Sequence, residues 1–246
     1  NLNPQDFKDS FEKENIHQLK EMQTKTEPMT APFILYHLSK YIGSNSIVFS
    51  DIGGVGFSTI RHFITNKNSY YVSPMGYSMG QGVSGCIGGK LACPEKHIFC
   101  ITGDGAFLMH GNEVLTAVQY NLGITWIIFK EGLYNVVEIN QCLAYNGELG
   151  FCTQLQNPDY FHLAKAYGVH YFEINTFKDL KIIIAQVKEL NLKNESSIII
   201  INYSHSEHLP IKPRAIEFLK DYGQTKDIKS NPYLMRALKK VIQEKV

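Results

Sequence analysis

The sequence predicts an α/β domain, a doubly wound and mostly parallel sheet with helices on both faces. Three observations predict it. Short apolar runs recur at "SIVFSD" (46–51), "HIFCIT" (97–102), "ITWIIF" (124–129), "HYFEI" (170–174) and "SIIIINY" (197–203). Most are continuous rather than alternating, as strands covered on both faces require. Segments of helical length lie between them, and glycine-rich turns follow several, which is the order of βαβ crossovers.

Taken along the chain, residues 1–26 carry many Lys, Glu, Gln and Asn with weak periodicity and read as a surface helix or linker, the tail of a preceding domain. Asn1 stands where an initiator methionine would, so a piece of something longer is expected. The domain is placed at 27–210. It opens with a helix in which Thr30 is the N-cap, Pro32 occupies the first turn, Phe33, Leu35, Tyr36, Leu38 and Ile42 supply apolar contacts, and Gly43 stops it. The strand runs and their intervening helices follow. Residues 211–246 form a C-terminal helical extension, amphipathic around 216–222 and 234–242, with Lys and Arg suited to a helix C-terminus.

Composition narrows the function classes. The chain has 246 residues, 44% of them hydrophobic, enough for a packed core. With 24 Lys plus Arg against 23 Asp plus Glu there is no electrostatic reason to propose nucleic acid or an anionic membrane, and a small-molecule ligand is expected. No apolar run approaches the ~20 residues that span a bilayer, and the polar start lacks the order of a signal peptide, so a soluble, cytoplasmic protein is expected. Cys86, Cys93, Cys100, Cys142 and Cys152 are odd in number, form no Cys-x-x-Cys pair and mostly have apolar neighbours. They read as reduced, buried small residues without a disulfide or metal role.

In a doubly wound sheet ligands bind beyond the carboxyl ends of the strands. Asp51-Ile52-Gly53-Gly54, Gly103-Asp104-Gly105, Lys130-Glu131-Gly132 and Ser204-His205 occupy those positions. Gly103-Asp104-Gly105 makes a turn tight enough to open backbone N–H groups to a phosphate, with a helix expected to start near His110 and Glu113 at capping-box spacing. The Asp104 carboxylate suits a phosphate only with a divalent cation between them, so the pattern predicts a metal-diphosphate site. About two dozen residues later Glu131 brings a second carboxylate to the same edge if the two strands are neighbours. Mg²⁺ takes one or two protein side chains plus phosphate oxygens and water, and Asp104, Glu131 and a backbone carbonyl just beyond meet that need. His110 either reaches substrate or caps a helix, the latter favoured. His205 and His208 have helical metal-ligand spacing but lie before Pro210 in a polar tail with no third ligand, which favours a solvated loop.

These motifs resemble the diphosphate-binding, C-terminal domain of thiamine-diphosphate-dependent enzymes, in the acetolactate synthase, pyruvate oxidase and 2-oxoacid decarboxylase group. That family carries Gly-Asp-Gly, about two dozen residues, then Asn-Asn. "MGQGVSGCIGGKLACPEKHIFCITGDG" (79–105) is similar to its Met-Gly-x-Gly-x-x-x-x-Ile-Gly-Ala segment, and "NPDYFHLAKAYGV" (157–169) to its Pro-Asp-Phe-x-x-Leu-Ala helix. The resemblance spans about residues 30–210.

The resemblance implies roles residue by residue. Asp104 and Glu131 would bind Mg²⁺ by their side chains and Leu133 by its carbonyl. Gly105 and Ala106 would offer backbone to the diphosphate, and Ile52, Gly53, Gly54 and Val55 would form the loop closing over it. Met79 would wedge between the cofactor rings, and the Tyr77 carbonyl would receive the aminopyrimidine amino group. Gly103, Tyr134 and Asn135 complete the expected cofactor contacts. One departure is Lys130-Glu131 in place of Asn-Asn: either a carboxylate replaces an amide ligand or metal affinity is lost, and the hard-oxygen character of a carboxylate favours the first.

The implied activity is that of a lyase or transferase acting on a 2-oxoacid such as pyruvate, with the hard chemistry carried by thiamine diphosphate. Val137 stands where acetolactate synthases carry Val and pyruvate-type decarboxylases often carry Glu, which tilts the reading toward decarboxylation with carboligation. The glutamate that protonates the aminopyrimidine lies on a separate pyrimidine-binding domain in this family. No catalytic residue is therefore assigned here, a partner domain or subunit is required, the fragment alone is expected to be inactive, and a dimer or tetramer with shared sites is implied. The β subunit of a split sulfopyruvate or phosphonopyruvate decarboxylase and a non-catalytic cofactor-binding or structural domain are the other readings.

Overall fold

A computed structural model describes residues 29–65, 70–72, 78–144 and 151–204. The expectations for residues 1–26 and 211–246, for Tyr77 and for His205 and His208 lie outside them. The described elements are α1 (Ala31–Ile42), β1 (Ser46–Ser50), α2 (Gly54–His62), β2 (Tyr70–Val72), α3 (Gln81–Ala92), β3 (His97–Gly103), α4 (Asp104–His110), a 3₁₀ turn (Gly111–Glu113), α5 (Val114–Gln119), β4 (Ile124–Phe129), α6 (Asn135–Ala144), α7 (Tyr160–Tyr167), β5 (His170–Ile174), α8 (Phe177–Leu192) and β6 (Ser197–Ile201).

Six strands form one sheet in the order β2-β1-β3-β4-β6-β5, with every pairing parallel. The five apolar runs are five of these strands; β2, three residues long at the edge, carries too short a pattern to be read from sequence. Every residue of β4 is buried, because successive side chains point to opposite faces and both faces are covered. Ile127 and Phe129 face one core with Leu35, Leu38, Leu180 and Ile184 of α1 and α8. Trp126 and Ile128 face the other with Val83, Val114 and Ala164 of α3, α5 and α7. The Trp126 ring is fully buried and its Nε1–H donates to the Val83 carbonyl at 3.0 Å, locking α3 onto β4.

Close approach explains part of the glycine-rich run. A Cβ at Gly82 would lie 3.0 Å from the Ser50 and Asp51 backbone, and one at Gly89 would lie 2.5 Å from the Phe49 ring. These two glycines, two helical turns apart, let α3 lie directly on β1.

Two expectations are corrected. A helix already begins at Asp104, ahead of the expected start; the 3₁₀ turn with His110 at its N-cap does open the next helical segment there, but His110 and Glu113 form no capping box, and Glu113 instead accepts the Thr116 hydroxyl at 2.8 Å. The reason is that Asp104 already has helical neighbours immediately after the strand, so the turn and the first helical turn are one piece. Of the cysteines, Cys86 and Cys100 are buried and Cys93 half-buried, whereas Cys152 is exposed, in a left-handed backbone conformation beside an exposed Phe151. An apolar neighbour in sequence did not imply a core position there. The side chain of Cys142 lies outside the described residues.

Candidate functional site

Strand order places the site. The chain leaves β1 outward to β2 and returns to β3, so the order reverses between β1 and β3. After β1 the chain enters α2, on the α1/α8 side; after β3 it enters α4 and α5, on the opposite side. The two loops diverge and leave a crevice at the carboxyl ends of the strands, where such sheets bind ligands. They remain close at its base: the Asp51 N–H donates to the Ile101 carbonyl at 2.8 Å, and a Cβ on Gly103 would lie 3.8 Å from Val55.

Asp51 organises one wall. It is fully buried, and its carboxylate accepts four backbone N–H groups: Oδ1 from Ile52 (2.8 Å) and Gly80 (2.9 Å), Oδ2 from Gly82 (2.8 Å) and Val83 (3.2 Å). The N-cap of α3 is Gly80, which has no side chain to satisfy the first N–H groups, so a carboxylate from another strand supplies the acceptor. Gly80 has φ +89°, and a Cβ there would meet the His110 ring at 2.8 Å. His110 Nδ1 lies 3.1 Å from the Gly80 carbonyl and 3.4 Å from Ser84 Oγ, which gives His110 a place against the start of α3. Residues Ile52, Gly53, Gly54 and Val55 and the Met79-Gly80 turn are thereby held on one edge.

Asp104 organises the centre. It is 2% exposed. Oδ1 accepts the Gly105 N–H at 2.9 Å; Oδ2 accepts Glu131 N–H (3.0 Å), Gly132 N–H (2.6 Å) and Asn157 Nδ2 (2.7 Å). The β3–β4 register pairs Gly103 with Phe129, which brings the two loops side by side. A Cβ on Gly105 would lie 2.8 Å from the Tyr134 ring and 3.4 Å from Met79 Cε, so Met79, Gly105 and Tyr134 converge. Ala106 is buried in the first turn of α4.

Glu131 is half-buried, and its carboxylate accepts the Tyr203 hydroxyl and a bond from Asn135. Burial pushes its carboxyl above the ordinary range, the two hydrogen bonds oppose this, and the neighbouring Asp104 charge adds to it. Burial, and next the Glu131 charge, push the Tyr203 hydroxyl up. Leu133 pairs with Gln154 in an antiparallel bridge whose hydrogen bonds belong to its neighbours, Tyr134 N–H to Thr153 O (2.7 Å) and Leu155 N–H to Gly132 O (2.9 Å). The Leu133 carbonyl therefore points away from that segment. Lys130 is exposed, and Val137 on α6 is 48% exposed.

This donor set fits a hard divalent cation. Two carboxylates adjoin at the sheet edge, and among the described residues neither has an ion-pair partner. A carboxylate oxygen offers about two lone pairs, so Oδ2 of Asp104 is saturated and Oδ1 is not. A cation between the carboxylates would relieve the repulsion between them. Among the described residues no cluster of three or more His, Cys, Asp or Glu could hold a metal, so backbone, phosphate or water oxygens must complete any shell.

Asn157 and Tyr203 were not singled out from sequence. Asn157 opens the "NPDYFHLAKAYGV" stretch, and its Oδ1 accepts the Tyr160 hydroxyl at 2.8 Å, which aims the amide at Asp104. Tyr203 closes the last apolar run, a carboxyl-end position of the type already singled out elsewhere.

Comparison with known proteins agrees with this geometry. The family described as "Thiamine pyrophosphate enzyme, C-terminal TPP binding domain" matches residues 51–201, from Asp51 through the end of β6. The 3D-(3,5/4)-trihydroxycyclohexane-1,2-dione hydrolase of Bacillus licheniformis is 30% identical over 197 residues, 77% of this chain and 30% of the hydrolase. The hydrolase of the same name from Shouchella clausii is 29% identical over 202 residues, 79% of this chain and 31% of its own length. The acetolactate synthase large subunit of Buchnera aphidicola is 30% identical over 159 residues, 63% of this chain and 27% of that subunit. The chain thus spans about a third of the length of these relatives. With the match running through the loops that carry Asp51, Asp104 and Glu131, the chain belongs to the C-terminal thiamine-diphosphate-binding domains of thiamine-diphosphate-dependent enzymes.

Proposed function

We propose that this chain is the diphosphate- and Mg²⁺-binding part of an enzyme that acts on a 2-oxoacid such as pyruvate by decarboxylation with carboligation, in the manner of acetolactate synthase. The convergence of Gly103-Asp104-Gly105, Glu131-Gly132-Leu133 and Met79 at one sheet edge carries this reading. Bound thiamine diphosphate supplies the carbon nucleophile for a carbonyl substrate. The chain's own contribution is positioning. Asp104 and Glu131 would hold Mg²⁺ with the Leu133 carbonyl, and Gly105 and Ala106 would offer backbone to the diphosphate. Ile52, Gly53, Gly54 and Val55 would close over it, Met79 would support the cofactor rings, and Tyr134 and Asn135 would line the same edge. A pyrimidine-binding domain or subunit supplies the missing glutamate, in a dimer or tetramer.

The similarity to trihydroxycyclohexane-1,2-dione hydrolases over more than three quarters of the chain favours a second substrate class. A 2-oxoacid and a 1,2-dione both present a carbonyl next to another oxidised carbon, so one cofactor atom suits either. Carbon dioxide release from pyruvate, sulfopyruvate or phosphonopyruvate, against ring opening of a cyclic 1,2-dione without carbon dioxide, separates the classes. Isothermal titration with thiamine diphosphate, with and without Mg²⁺, tests the binding role. Metal-dependent binding is expected; its absence even with a pyrimidine-domain partner present refutes the enzyme reading and leaves a structural domain.

A further inference from the structure

The geometry points to Tyr203 as a positioning residue that makes Glu131 usable as a metal ligand, an inference that rests on the proposed Mg²⁺ role of Asp104 and Glu131. In the β4–β6 pairing Phe129 lies opposite Ile201, and Lys130 N–H still donates to the Ile201 carbonyl at 3.2 Å. Continuing that register sets residue 131 opposite residue 203. With β3 on the other side of β4 and Gly103 opposite Phe129, residues 104, 131 and 203 lie at three adjacent strand ends in a row staggered by one residue at β3.

The chemistry of the row is asymmetric. Asp104 has Oδ2 filled by three N–H donors and Oδ1 less occupied. Glu131 has Oε1 taken by the Tyr203 hydroxyl. Asp104 is thus anchored chiefly through Oδ2, and Glu131 by the Tyr203 hydroxyl on Oε1 with Asn135 as a second donor to the carboxylate. A glutamate has one more rotatable bond than an asparagine, and an unanchored Glu131 would lose that freedom on binding a cation. Tyr203 is itself held by its ring, which stands edge-on to Phe129 with centroids 5.3 Å apart. The hydroxyl is aimed by the core of the sheet, and the carboxylate is aimed by the hydroxyl. An amide at position 131, one methylene shorter, would not need this anchor.

The test is a double-substitution cycle on the full chain with thiamine diphosphate present, reading Mn²⁺ affinity by the electron paramagnetic resonance of free Mn²⁺. Tyr203→Phe keeps the ring and removes the hydroxyl. It should weaken Mn²⁺ binding about tenfold, the size expected for one hydrogen bond to a charged group. In the Glu131→Asn background the same change should cost less than about twofold, because the coupled partner is gone. Equal losses in both backgrounds, or no loss in the first, overturn the role of Tyr203 and leave the metal site standing. No Mn²⁺ binding by the unsubstituted chain, even with a pyrimidine-domain partner present, overturns the metal reading and Tyr203 with it. Thermal unfolding of each variant confirms that the affinities compare folded proteins.

Discussion

Asp51→Ala should cost more stability than any surface change and should do so through α3. The carboxylate is fully buried and accepts four backbone N–H groups, two on each oxygen. Truncation leaves four donors without that acceptor, three of them in buried hydrogen bonds. A single unsatisfied buried group costs ~1–3 kcal/mol, but the helix start can relax to recover part of it, so a total of about 4 kcal/mol is expected. Asp51→Asn should cost about 2–3 kcal/mol, because its NH₂ must face two N–H groups that demand an acceptor. The assay is urea unfolding followed by tryptophan fluorescence. The chain has one tryptophan, Trp126, and its Nε1–H bonds to Val83, the residue whose own N–H binds Asp51. With a urea slope of about 2 kcal/mol per molar, the Ala variant should unfold about 2 M earlier. A midpoint within about 0.3 M of the parent, or Asn costing more than Ala, would refute the account of Asp51 as the cap of α3.

Three other outcomes are expected. Glu131→Asn should keep or improve Mg²⁺-dependent binding of thiamine diphosphate, whereas Glu131→Ala should weaken it at least about tenfold by calorimetry, since a hard-oxygen ligand is lost; indifference to both would leave the residue as a polar strand end. Gly105→Ala should reduce cofactor affinity with little effect on the melting temperature, because the new methyl would meet the Tyr134 ring at 2.8 Å and Met79 at 3.4 Å, side chains that can swing away only into the crevice. His62 is held low, at about 4, first by burial and then by Arg61. The unfolded state therefore takes up a proton first, and stability should fall as pH drops from about 6.5 to about 4 and then level off. Allowing for partial exposure, the loss is about 1–2 kcal/mol. Denaturant midpoints of His62→Gln across that range should lack this component.

The five principal strands were legible because a strand covered on both faces has to be apolar at every position, a local signal that needs no partner to interpret. Their carboxyl-end loops were legible for the same reason: Asp104 and Glu131 stand where an apolar run stops. The family match extends that reading to the cofactor. Among the described residues, no helix is long and apolar enough to cross a membrane, in keeping with the hydropathy of the chain.

Other features depend on which strands adjoin, and that is not written along the chain. The three-residue β2 is too short to show a period, and the start of α4 at Asp104 follows from the turn closing directly into a helix. Asp51 reads as a residue after a strand; only the packing of α3 on β1, through Gly82, turns it into a four-fold acceptor. Asn157 and Tyr203 lie 53 residues from Asp104 and 72 from Glu131 respectively; the bridge between Leu133 and Gln154 brings the first to its carboxylate, and the β4–β6 pairing brings the second. The sequence by itself determined the fold class and the two carboxylates. The tertiary structure decided which hydrogen bonds hold them, because a partner is chosen by proximity in space and not by spacing in sequence.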